Sequence, residues 1–337
     1  MRVGFDISQI AHGGGVAVYT DELSKRLSKL KDLDMVFFYS LLRKTYKGSL
    51  ANVKKFPIPP TITEALFNQW RFIPIEKFIG EIDVFHSNDW AQPPTKAKKI
   101  TTMHDLVPIL FPQWSHPKII EVHKRRLNIV EREIDLVIAV SNSTKEDVCK
   151  LTSLERDKIV VIYEGVDKIF TPQNEKDEVE FKKKNNLPDK FVLAVGGVGE
   201  RKNLKRIKEA SKNYNLIILG RDIKKLKREE LPLLYSSASI LVYASLYEGF
   251  GLPIVEAMAC GTPVITSDRS SMPEIGGEAA EYVNPENVEE ISSKIKLVLE
   301  DRDLREKMRR EGIEQARKFD WDKCARETAQ VYRRVLE

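Results

Sequence analysis

Short apolar runs alternate with segments of helical periodicity along the whole chain, and this alternation constrains the fold more than any other feature. The apolar runs predict strands at residues 3–7, 35–39, 84–86, 100–103, 136–140, 159–163, 192–195, 216–219, 240–243 and 264–266. Strands that alternate with helices form parallel sheets with helices on both faces. We therefore predict an α/β protein.

A polar stretch at residues 168–190 divides the predicted strands into two sets. It contains two prolines and many charged residues, which is typical of a linker. At 337 residues, the chain is long enough for two domains of ordinary size. We predict two Rossmann-like domains, 1–170 and 171–318, that face each other across a cleft. Ligands of such sheets bind beyond the carboxyl ends of the strands.

Composition excludes several other classes of protein. No apolar run reaches the roughly 18–20 residues of a membrane span, and the N-terminus has the pattern of a strand and not of a signal peptide. Cys149, Cys260 and Cys324 lack zinc-ligand spacing, which favours a reduced, cytoplasmic protein. No segment resembles a nucleic-acid-binding module. The net charge of +5 fits a solvated surface, with attraction to anionic membranes or acidic substrates as the alternative.

Residues 247–261 place two glutamates where a ligand with phosphates and hydroxyls could bind. Pro253 suits the first turn of a helix and Gly261 suits its end, so Glu248 should precede the helix and Glu256 should lie about one turn inside it. A helix N-terminus attracts phosphate, and carboxylates accept paired hydrogen bonds from vicinal hydroxyls. Both properties point to a nucleotide-sugar. The alternative is a surface loop followed by a core helix.

A basic pair follows the predicted strand at residues 192–195. Arg201 and Lys202 come after a glycine-rich turn, and Asn203 is predicted to cap the next helix. The guanidinium fork and the ammonium point charge suit two phosphates of a leaving group. An ordinary solvated surface pair is the alternative.

Two more candidates follow predicted strands of the first half. Gly14 and Gly15 belong to a glycine turn whose backbone N–H groups could point at an anion, although Val18 stands where a dinucleotide fingerprint needs its third glycine. His104 follows the strand at 100–103 and should face the predicted cleft. The alternatives are a flexible turn for the glycines and a structural role for the histidine, with Asp105 starting a turn.

The string from residue 244 to residue 275, which includes Gly261-Thr262-Pro263 and Ser271-Met272-Pro273-Glu274, resembles the Glu-x7-Glu motif of retaining GT-B glycosyltransferases of sequence family 4. The resemblance implies transfer of a hexose, with mannose or glucose favoured, from a nucleoside-diphosphate sugar to a glycan, lipid-linked or small-molecule acceptor. It implies a role in polysaccharide biosynthesis. Within this reading, the alternatives are a sugar-nucleotide epimerase, a sugar phosphorylase or a non-catalytic nucleotide-sugar-binding subunit.

The same resemblance implies roles for the candidate residues. Arg201 and Lys202 would hold the diphosphate, Glu256 the ribose, and Glu248 the sugar, while His104 would lie beside the reacting centre. The implied catalytic residues are His104, Arg201, Lys202 and Glu248. The implied donor-binding residues are Gly14, Gly15, Arg201, Lys202, Glu248, Gly249, Phe250, Gly251, Leu252 and Glu256.

We expect no metal and no other cofactor. Asp-x-Asp pairs at 32/34, 301/303 and 320/322 are chance matches in so charged a chain. The basic pair and two helix N-termini could stabilise a leaving diphosphate without a metal.

Three departures from the family pattern bear on the substrate. Gly197 and Gly199 differ from a subset rich in mannosyltransferases, which leaves the sugar open. The segment 220–231 is short where members usually have another strand and loop near the nucleotide base, which leaves the base open. Glu164 stands where asparagine is common.

The acceptor side is predicted to include two amphipathic helices. The first spans residues 61–73, with a capping box of Thr61 and Glu64 and a stop at Pro74; Ile62, Leu66, Phe67, Trp70 and Ile73 should share one face. The second spans residues 118–134 and carries Lys124, Arg125, Arg126 and Arg132 opposite an apolar face. Core packing explains both, and the alternative is a surface for a lipid-linked acceptor on the inner face of the membrane.

The last helix, at residues 321–336, has an apolar face. By the same resemblance, residues 319–337 should pack back on the N-terminal domain.

Overall fold

A computed structural model describes residues 1–337 except 89, 198, 224 and 225. The chain divides into two compact units. The N-terminal unit comprises Met1–Glu164 with Trp321–Glu337, and the C-terminal unit comprises Gly165–Asp320. The sequence predicts the two domain boundaries after residues 170 and 318, a few residues from these bounds. Each unit is built on one parallel sheet, so the predicted class of two Rossmann-like α/β domains is confirmed.

The strands occupy the apolar runs of the sequence. They are β1 (Arg2–Asp6), β2 (Asp34–Ser40), β3 (Val53–Phe56), β4 (Val84–Ser87), β5 (Lys98–Met103), β6 (Leu136–Ala139) and β7 (Ile159–Val161) in the N-terminal unit, then β8 (Val192–Val195), β9 (Leu216–Leu219), β10 (Ile240–Tyr243), β11 (Val264–Ser267) and β12 (Ala280–Val283) in the C-terminal unit. The seven-stranded order is β3-β2-β1-β4-β5-β6-β7 and the five-stranded order is β12-β11-β10-β8-β9. The order reverses between β1 and β4 and between β8 and β10. Ligands of doubly wound sheets bind at such reversals.

Helices connect these strands. They are α1 (Gly15–Leu27), α2 (Pro60–Glu64), α3 (Glu76–Ile79), α4 (Val107–Leu110), α5 (Pro117–Glu133), α6 (Asn142–Leu151), α7 (Glu175–Lys184), α8 (Leu204–Ala210), α9 (Leu231–Ser237), α10 (Leu252–Ala259), α11 (Met272–Gly276), α12 (Val288–Glu300), α13 (Arg302–Ala316) and α14 (Trp321–Arg334). No helix within the described part of the chain is both long and apolar enough to cross a membrane.

The C-terminal helix is part of the N-terminal unit. Helix α14 lies against α1, and its Trp321 and Tyr332 are completely buried. An ion pair of 2.9 Å between Arg26 Nε and Asp322 Oδ1 joins the two helices. Burial of a large indole is the stronger contribution, because a partly exposed ion pair adds little to stability.

The prediction of a linker at residues 168–190 is wrong for the middle of that segment. Residues 175–184 form α7, which lies against α9, and its Phe181 is buried. Asn174 caps this helix by accepting a hydrogen bond of 2.9 Å from the backbone N–H of Asp177. The many charges of the stretch occupy the exposed side of a helix, so this segment belongs to the C-terminal unit.

The helix predicted over residues 61–73 is also wrong in detail. Helix α2 passes into a π-helical segment, Ala65–Trp70, and the chain turns at Arg71, which has a left-handed φ of 54°. The capping box is absent, since α2 has no side-chain cap and Glu64 instead accepts hydrogen bonds from Gln69 and Arg125. A π turn is wider than an α turn, so residues spaced for one α-helical face no longer share it. Ile62 and Trp70 are exposed.

Two further differences concern polar residues. Strands β3 and β12 were not predicted, because edge strands carry charges such as those of Lys54 and Lys55 that hide the apolar pattern. Arg126 was placed on the charged side of the second helix, but it is completely buried and donates a hydrogen bond of 2.9 Å to the Thr102 carbonyl.

Replacement of Trp321 by alanine should destabilise the N-terminal unit strongly. Truncation of a buried tryptophan costs about 3–5 kcal/mol, which lowers Tm by on the order of 10 °C in a domain of this size. Trp70→Ala is the matched control, because that indole is 59% exposed. Differential scanning calorimetry should show a large shift for Trp321→Ala and almost none for the control. Equal shifts would contradict the packing described for α14.

Candidate functional site

The basic pair and Glu248 lie on neighbouring loops at the strand-order reversal of the C-terminal sheet. Arg201 and Lys202 follow β8, and Glu248 follows β10, the strand that pairs with β8. A backbone hydrogen bond of 2.8 Å from the N–H of Leu246 to the carbonyl of Arg201 joins the two loops. The carboxyl ends of paired parallel strands lie at the same edge of the sheet, which brings these residues together.

Glu248 accepts hydrogen bonds from both cations. Lys202 Nζ lies 2.7 Å from Glu248 Oε1, and Arg201 Nη1 lies 2.9 Å from Oε2. The glutamate side chain is almost fully buried, while both cations retain partial exposure. The arrangement is therefore a buried carboxylate with one partly exposed cation on each oxygen.

The charges of this cluster determine its protonation. Burial alone would raise the pKa of Glu248, but the charges of Lys202 and Arg201 outweigh burial and hold that pKa below its usual value. The carboxylate is thus ionised at neutral pH. Because its pKa is depressed in the folded protein, the cluster stabilises the fold above the unfolded pKa and loses this contribution as the pH falls through the folded pKa.

Tyr243, the last residue of β10, supports Lys202 and was not among the predicted site residues. Its hydroxyl accepts a hydrogen bond from Lys202 Nζ, which also lies 4.7 Å from the centre of the ring. Burial, followed by the charge of Glu248, raises the pKa of Tyr243 well above its usual value, so the phenol stays neutral. Its position at the carboxyl end of a buried strand is the sequence signal that could have identified it.

Asn203 has a different role from the predicted one. It does not cap α8 through its side chain and has a left-handed φ of 54°. Its side-chain amide instead donates hydrogen bonds to the carbonyls of Ala244, at 2.9 Å, and Pro285, at 2.6 Å. These bonds fix the turn that carries the basic pair against the loop after β10.

Serine residues hold the loop of Glu248 in place. Ser270 Oγ accepts a hydrogen bond of 3.0 Å from the backbone N–H of Glu248, and Ser271 Oγ lies 3.0 Å from the Glu248 carbonyl and 2.6 Å from that of Phe250. Gly251 follows with a φ of 118°, which L-residues with a Cβ rarely adopt. Helix α10 then begins at Leu252, so Glu248 precedes the helix as its position in the sequence indicated.

Of the remaining predicted donor residues, Glu256 lies inside α10. Its Oε2 accepts a hydrogen bond of 2.8 Å from the hydroxyl of Tyr235 on α9. Phe250 and Leu252 are buried, and the Phe250 ring packs edge-on against Phe319 at 5.7 Å. Gly249 lies between Glu248 and Phe250 on the same loop. In the glycine-rich turn after β8, Val198 lies outside the described residues, as do Lys224 and Lys225 of the shortened segment 220–231.

The N-terminal unit holds His104, Gly14 and Gly15. His104 follows β5, and its Nδ1 lies 3.2 Å from Oε1 of Glu164, which follows β7; both side chains are buried. Gly14, with a φ of 80°, precedes α1, and Gly15 is its first residue. Helix α1 carries Tyr19, whose ring meets that of His104 edge-on at 4.6 Å. Helix α1, which begins at the glycine turn, therefore contacts His104 through the ring of Tyr19.

Among the described residues, no three or more His, Cys, Asp and Glu side chains are grouped so that they could hold a metal ion. The candidate sites therefore offer cations, hydroxyls, a buried carboxylate and a histidine, which suit a ligand that combines anionic and hydroxyl groups.

Two family sequence models match most of the chain. The model described as Glycosyl transferases group 1 matches residues 179–315. The model described as Glycosyltransferase Family 4 matches residues 13–168. The two matches fall in different units, and the first contains the cluster of Arg201, Lys202 and Glu248.

Several curated proteins are similar in sequence. The O-antigen chain mannosyltransferase B of Escherichia coli is 28% identical over an alignment of 282 residues, with coverage of 74% of this chain and 74% of that protein. The O-antigen chain mannosyltransferase RfbU of Salmonella typhimurium is 32% identical over an alignment of 231 residues, with coverage of 61% of this chain and 62% of that protein. The chain spans only 34% of the serotype-specific mannosyltransferase WbdA of Escherichia coli, at 25% identity over 71% of this chain.

Solved structures share the fold over the whole chain. A sucrose-phosphate synthase from Thermosynechococcus elongatus superposes with a TM-score of 0.79 at 19% identity, covering 99% of both chains. WaaG, a glycosyltransferase involved in lipopolysaccharide biosynthesis, superposes with a TM-score of 0.74 at 12% identity, covering 98% of this chain and 99% of that one. The fold is therefore GT-B, as the sequence predicted.

Lys202→Met should destabilise the C-terminal unit at pH 7 and less so at pH 4. Loss of the ammonium removes a hydrogen bond to the buried carboxylate, a cost of about 2 kcal/mol, and this cost shrinks once acid protonates Glu248. Thermal unfolding at both pH values measures the effect. Lys294→Met is the control, because its 2.6 Å pair with Glu281 is more exposed and is worth below about 1 kcal/mol. The same loss at both pH values for Lys202→Met would contradict the electrostatic account.

Proposed function

Because this chain belongs to the glycosyl transferases of group 1, we propose that it is a retaining hexosyltransferase that uses a nucleoside-diphosphate sugar. The observation that carries the proposal is the pair of cations at the strand-order reversal, Arg201 and Lys202, held by the buried Glu248. Mannose is the favoured sugar, since the similar curated proteins are named as O-antigen mannosyltransferases. The acceptor is a glycan, lipid-linked or small-molecule hydroxyl compound in polysaccharide biosynthesis.

The cation pair suits a diphosphate that becomes a leaving group. Arg201 offers a planar fork and Lys202 a point charge, and both side chains retain partial exposure to solvent. As the bond between the anomeric carbon and the phosphate oxygen breaks, negative charge grows on that oxygen, and fixed cations stabilise it without having to reorganise. We propose that no metal is required for this step.

Glu248 has two tasks in this proposal. Without donor it pairs with both cations and offsets one of their two charges, and with donor bound it accepts hydrogen bonds from sugar hydroxyls while the diphosphate binds the cations. The backbone N–H groups at residues 250–252 complete the sugar site, and Glu256 of α10 binds ribose hydroxyls. The glycine turn at Gly14 and Gly15 borders the donor pyrophosphate and the acceptor.

His104 lies beside the reacting centre in this proposal. Retention follows from transfer on one face of the sugar: the acceptor oxygen bonds to the anomeric carbon from the side that the diphosphate leaves. The acceptor's proton passes to an oxygen of the departing diphosphate. His104, held at Nδ1 by Glu164, provides a polar group next to the oxocarbenium-like sugar.

Lys202→Ala and Glu248→Ala should each lower turnover at least tenfold. Loss of one charge-stabilising contact typically raises the barrier by about 3 kcal/mol. A thermal-shift screen of nucleoside-diphosphate sugars first identifies the donor, and release of the nucleoside diphosphate in the presence of acceptor then measures turnover. Lys294→Ala, a surface charge of the same unit, is the control and should keep full activity.

The same assays separate the alternatives. Nucleoside diphosphate released only when an acceptor is present supports a transferase and contradicts an epimerase or a phosphorylase. Tight donor binding with neither transfer nor hydrolysis would instead identify a non-catalytic binding subunit. Unchanged turnover in Lys202→Ala or Glu248→Ala would contradict the assigned roles.

We also propose that the N-terminal unit docks on an anionic membrane surface. The stacked rings of Trp70 and Phe72, 59% and 68% exposed, flank Arg71 at the end of the π-helical segment. This segment lies against α5, which carries the exposed cations of Lys118 and Lys124. Exposed aromatic rings beside basic residues suit the boundary between lipid headgroups and acyl chains.

Trp70→Ser combined with Phe72→Ser should abolish binding to anionic vesicles. The rings supply apolar area at the interface, and the basic residues supply the electrostatic attraction. Co-sedimentation with vesicles of phosphatidylglycerol and phosphatidylcholine at low salt measures binding. Leu297→Ser, at a leucine of α12 that is 43% exposed, is the control and should bind like the wild type. No binding by the wild-type protein would rule out this docking.

A further inference from the structure

A buried chain of hydrogen bonds crosses the N-terminal unit from α14 to α1. The hydroxyl of Tyr332 lies 2.7 Å from His86 Nδ1, and His86 Nε2 lies 2.8 Å from Thr102 Oγ1. Thr102 Oγ1 lies 2.9 Å from the hydroxyl of Tyr19. All four side chains are completely buried. The chain thus connects four separate elements, α14, β4, β5 and α1.

The protonation of His86 makes this chain directional. Burial, followed by the nearby His104, lowers the pKa of His86 to about 3, so the imidazole is neutral. A neutral imidazole donates from one nitrogen and accepts at the other. If Nδ1 of His86 accepts from Tyr332, Nε2 donates to Thr102; if Nε2 accepts from Thr102, Nδ1 donates to Tyr332 and Thr102 in turn accepts from Tyr19. Loss of one hydroxyl leaves a buried group unsatisfied and disturbs the members beyond it.

The far end of the chain reaches His104. The ring of Tyr19 meets the imidazole edge-on, with 4.6 Å between centres and 84° between planes. Glu164 lies 3.2 Å from Nδ1 of the same imidazole. His104 is therefore fixed from two sides: Glu164 holds one nitrogen, and Tyr19 sets the plane of the ring.

Packing alone does not require a tyrosine at position 332 or a threonine at position 102. Phenylalanine and valine would fill the positions of Tyr332 and Thr102 without burying polar atoms, and buried polar atoms cost stability unless they are hydrogen-bonded. In return, a fully connected polar network holds its members in a single arrangement. Both nitrogens of His86 belong to the network, which therefore joins the Tyr19 hydroxyl to a residue of the last helix.

We propose that Tyr332, His86 and Thr102 are positioning residues that orient His104 through Tyr19. This inference rests on the proposed role of His104 beside the reacting sugar. It gives the C-terminal helix a function in the site of the N-terminal unit, beyond covering α1.

The test uses two substitutions that each remove one hydroxyl and preserve shape. Tyr332→Phe and Thr102→Val in the full-length chain should each lower kcat about three- to tenfold and leave the KM for donor within twofold. The double variant should lose no more activity than the more strongly affected single variant, because both substitutions act through one chain of hydrogen bonds. Tyr282→Phe is the control; its hydroxyl bonds backbone carbonyls of Pro273 and Gly277 in the C-terminal unit, and its kcat should not change.

A spectroscopic readout separates positioning from general damage. The chain has five histidines, so ¹⁵N-histidine labelling gives an assignable spectrum. The imidazole ¹⁵N shifts of His104 should move in Tyr332→Phe and in Thr102→Val but not in Tyr282→Phe. A fall in kcat with unmoved His104 shifts would overturn the proposal, as would unchanged kcat in both variants if His104→Ala is inactive.

The role of His104 itself is tested by His104→Ala. If that variant keeps full turnover while the two network variants still move the His104 shifts in the wild-type background, the positioning contacts stand and the assigned role of His104 falls. If His104→Ala is inactive and the network variants leave both kcat and the shifts unchanged, the role stands and the network proposal falls.

Discussion

Parallel pairing of strands is the constraint on which the rest of this structure depends. Within each sheet the carboxyl ends of all strands lie on the same side, so residues far apart in sequence come together there. In the C-terminal unit this brings Arg201 and Lys202 to Glu248, with a separation of 46 residues between Lys202 and Glu248. In the N-terminal unit it brings His104 to Glu164, with a separation of 60 residues. Neither cluster could form within one strand or one helix.

The buried carboxylate of Glu248 holds two cations in fixed positions at the carboxyl ends of the strands. Two cations close together repel each other, but the carboxylate between them attracts both, offsets one of the two positive charges and fixes their positions. Tyr243 restricts the ammonium further, and Asn203 restricts the turn that carries it. In the function proposed above, a diphosphate would compete with Glu248 for cations whose geometry is already set, so that little of its binding energy would be lost in ordering them.

Much of the fold was predictable because buried parallel strands read as unbroken apolar runs. The runs located β1, β8, β9 and β10 within about a residue, whereas β3 escaped because its lysines face solvent at an edge. Helical spacing could not reveal the π-helical segment at Ala65–Trp70, since the widened turn depends on its packing and not on a local motif. Residue types singled out Arg201, Lys202 and Glu248 as candidates, and the structure brings these three together. Tyr243 was missed because its place at the end of a buried strand does not by itself show that its side chain meets the ammonium.

Glu164 illustrates how a departure from a family pattern acquires a physical meaning. Asparagine, which the resemblance would place at this position, can either donate to or accept from an imidazole, and so allows either tautomer. An ionised carboxylate can only accept, so its contact with Nδ1 of His104 requires a hydrogen on that nitrogen. In the neutral imidazole, Nε2 is then the acceptor. An ionised carboxylate at this position therefore requires a hydrogen on Nδ1 of His104, and the ring of Tyr19 packs edge-on against the same imidazole.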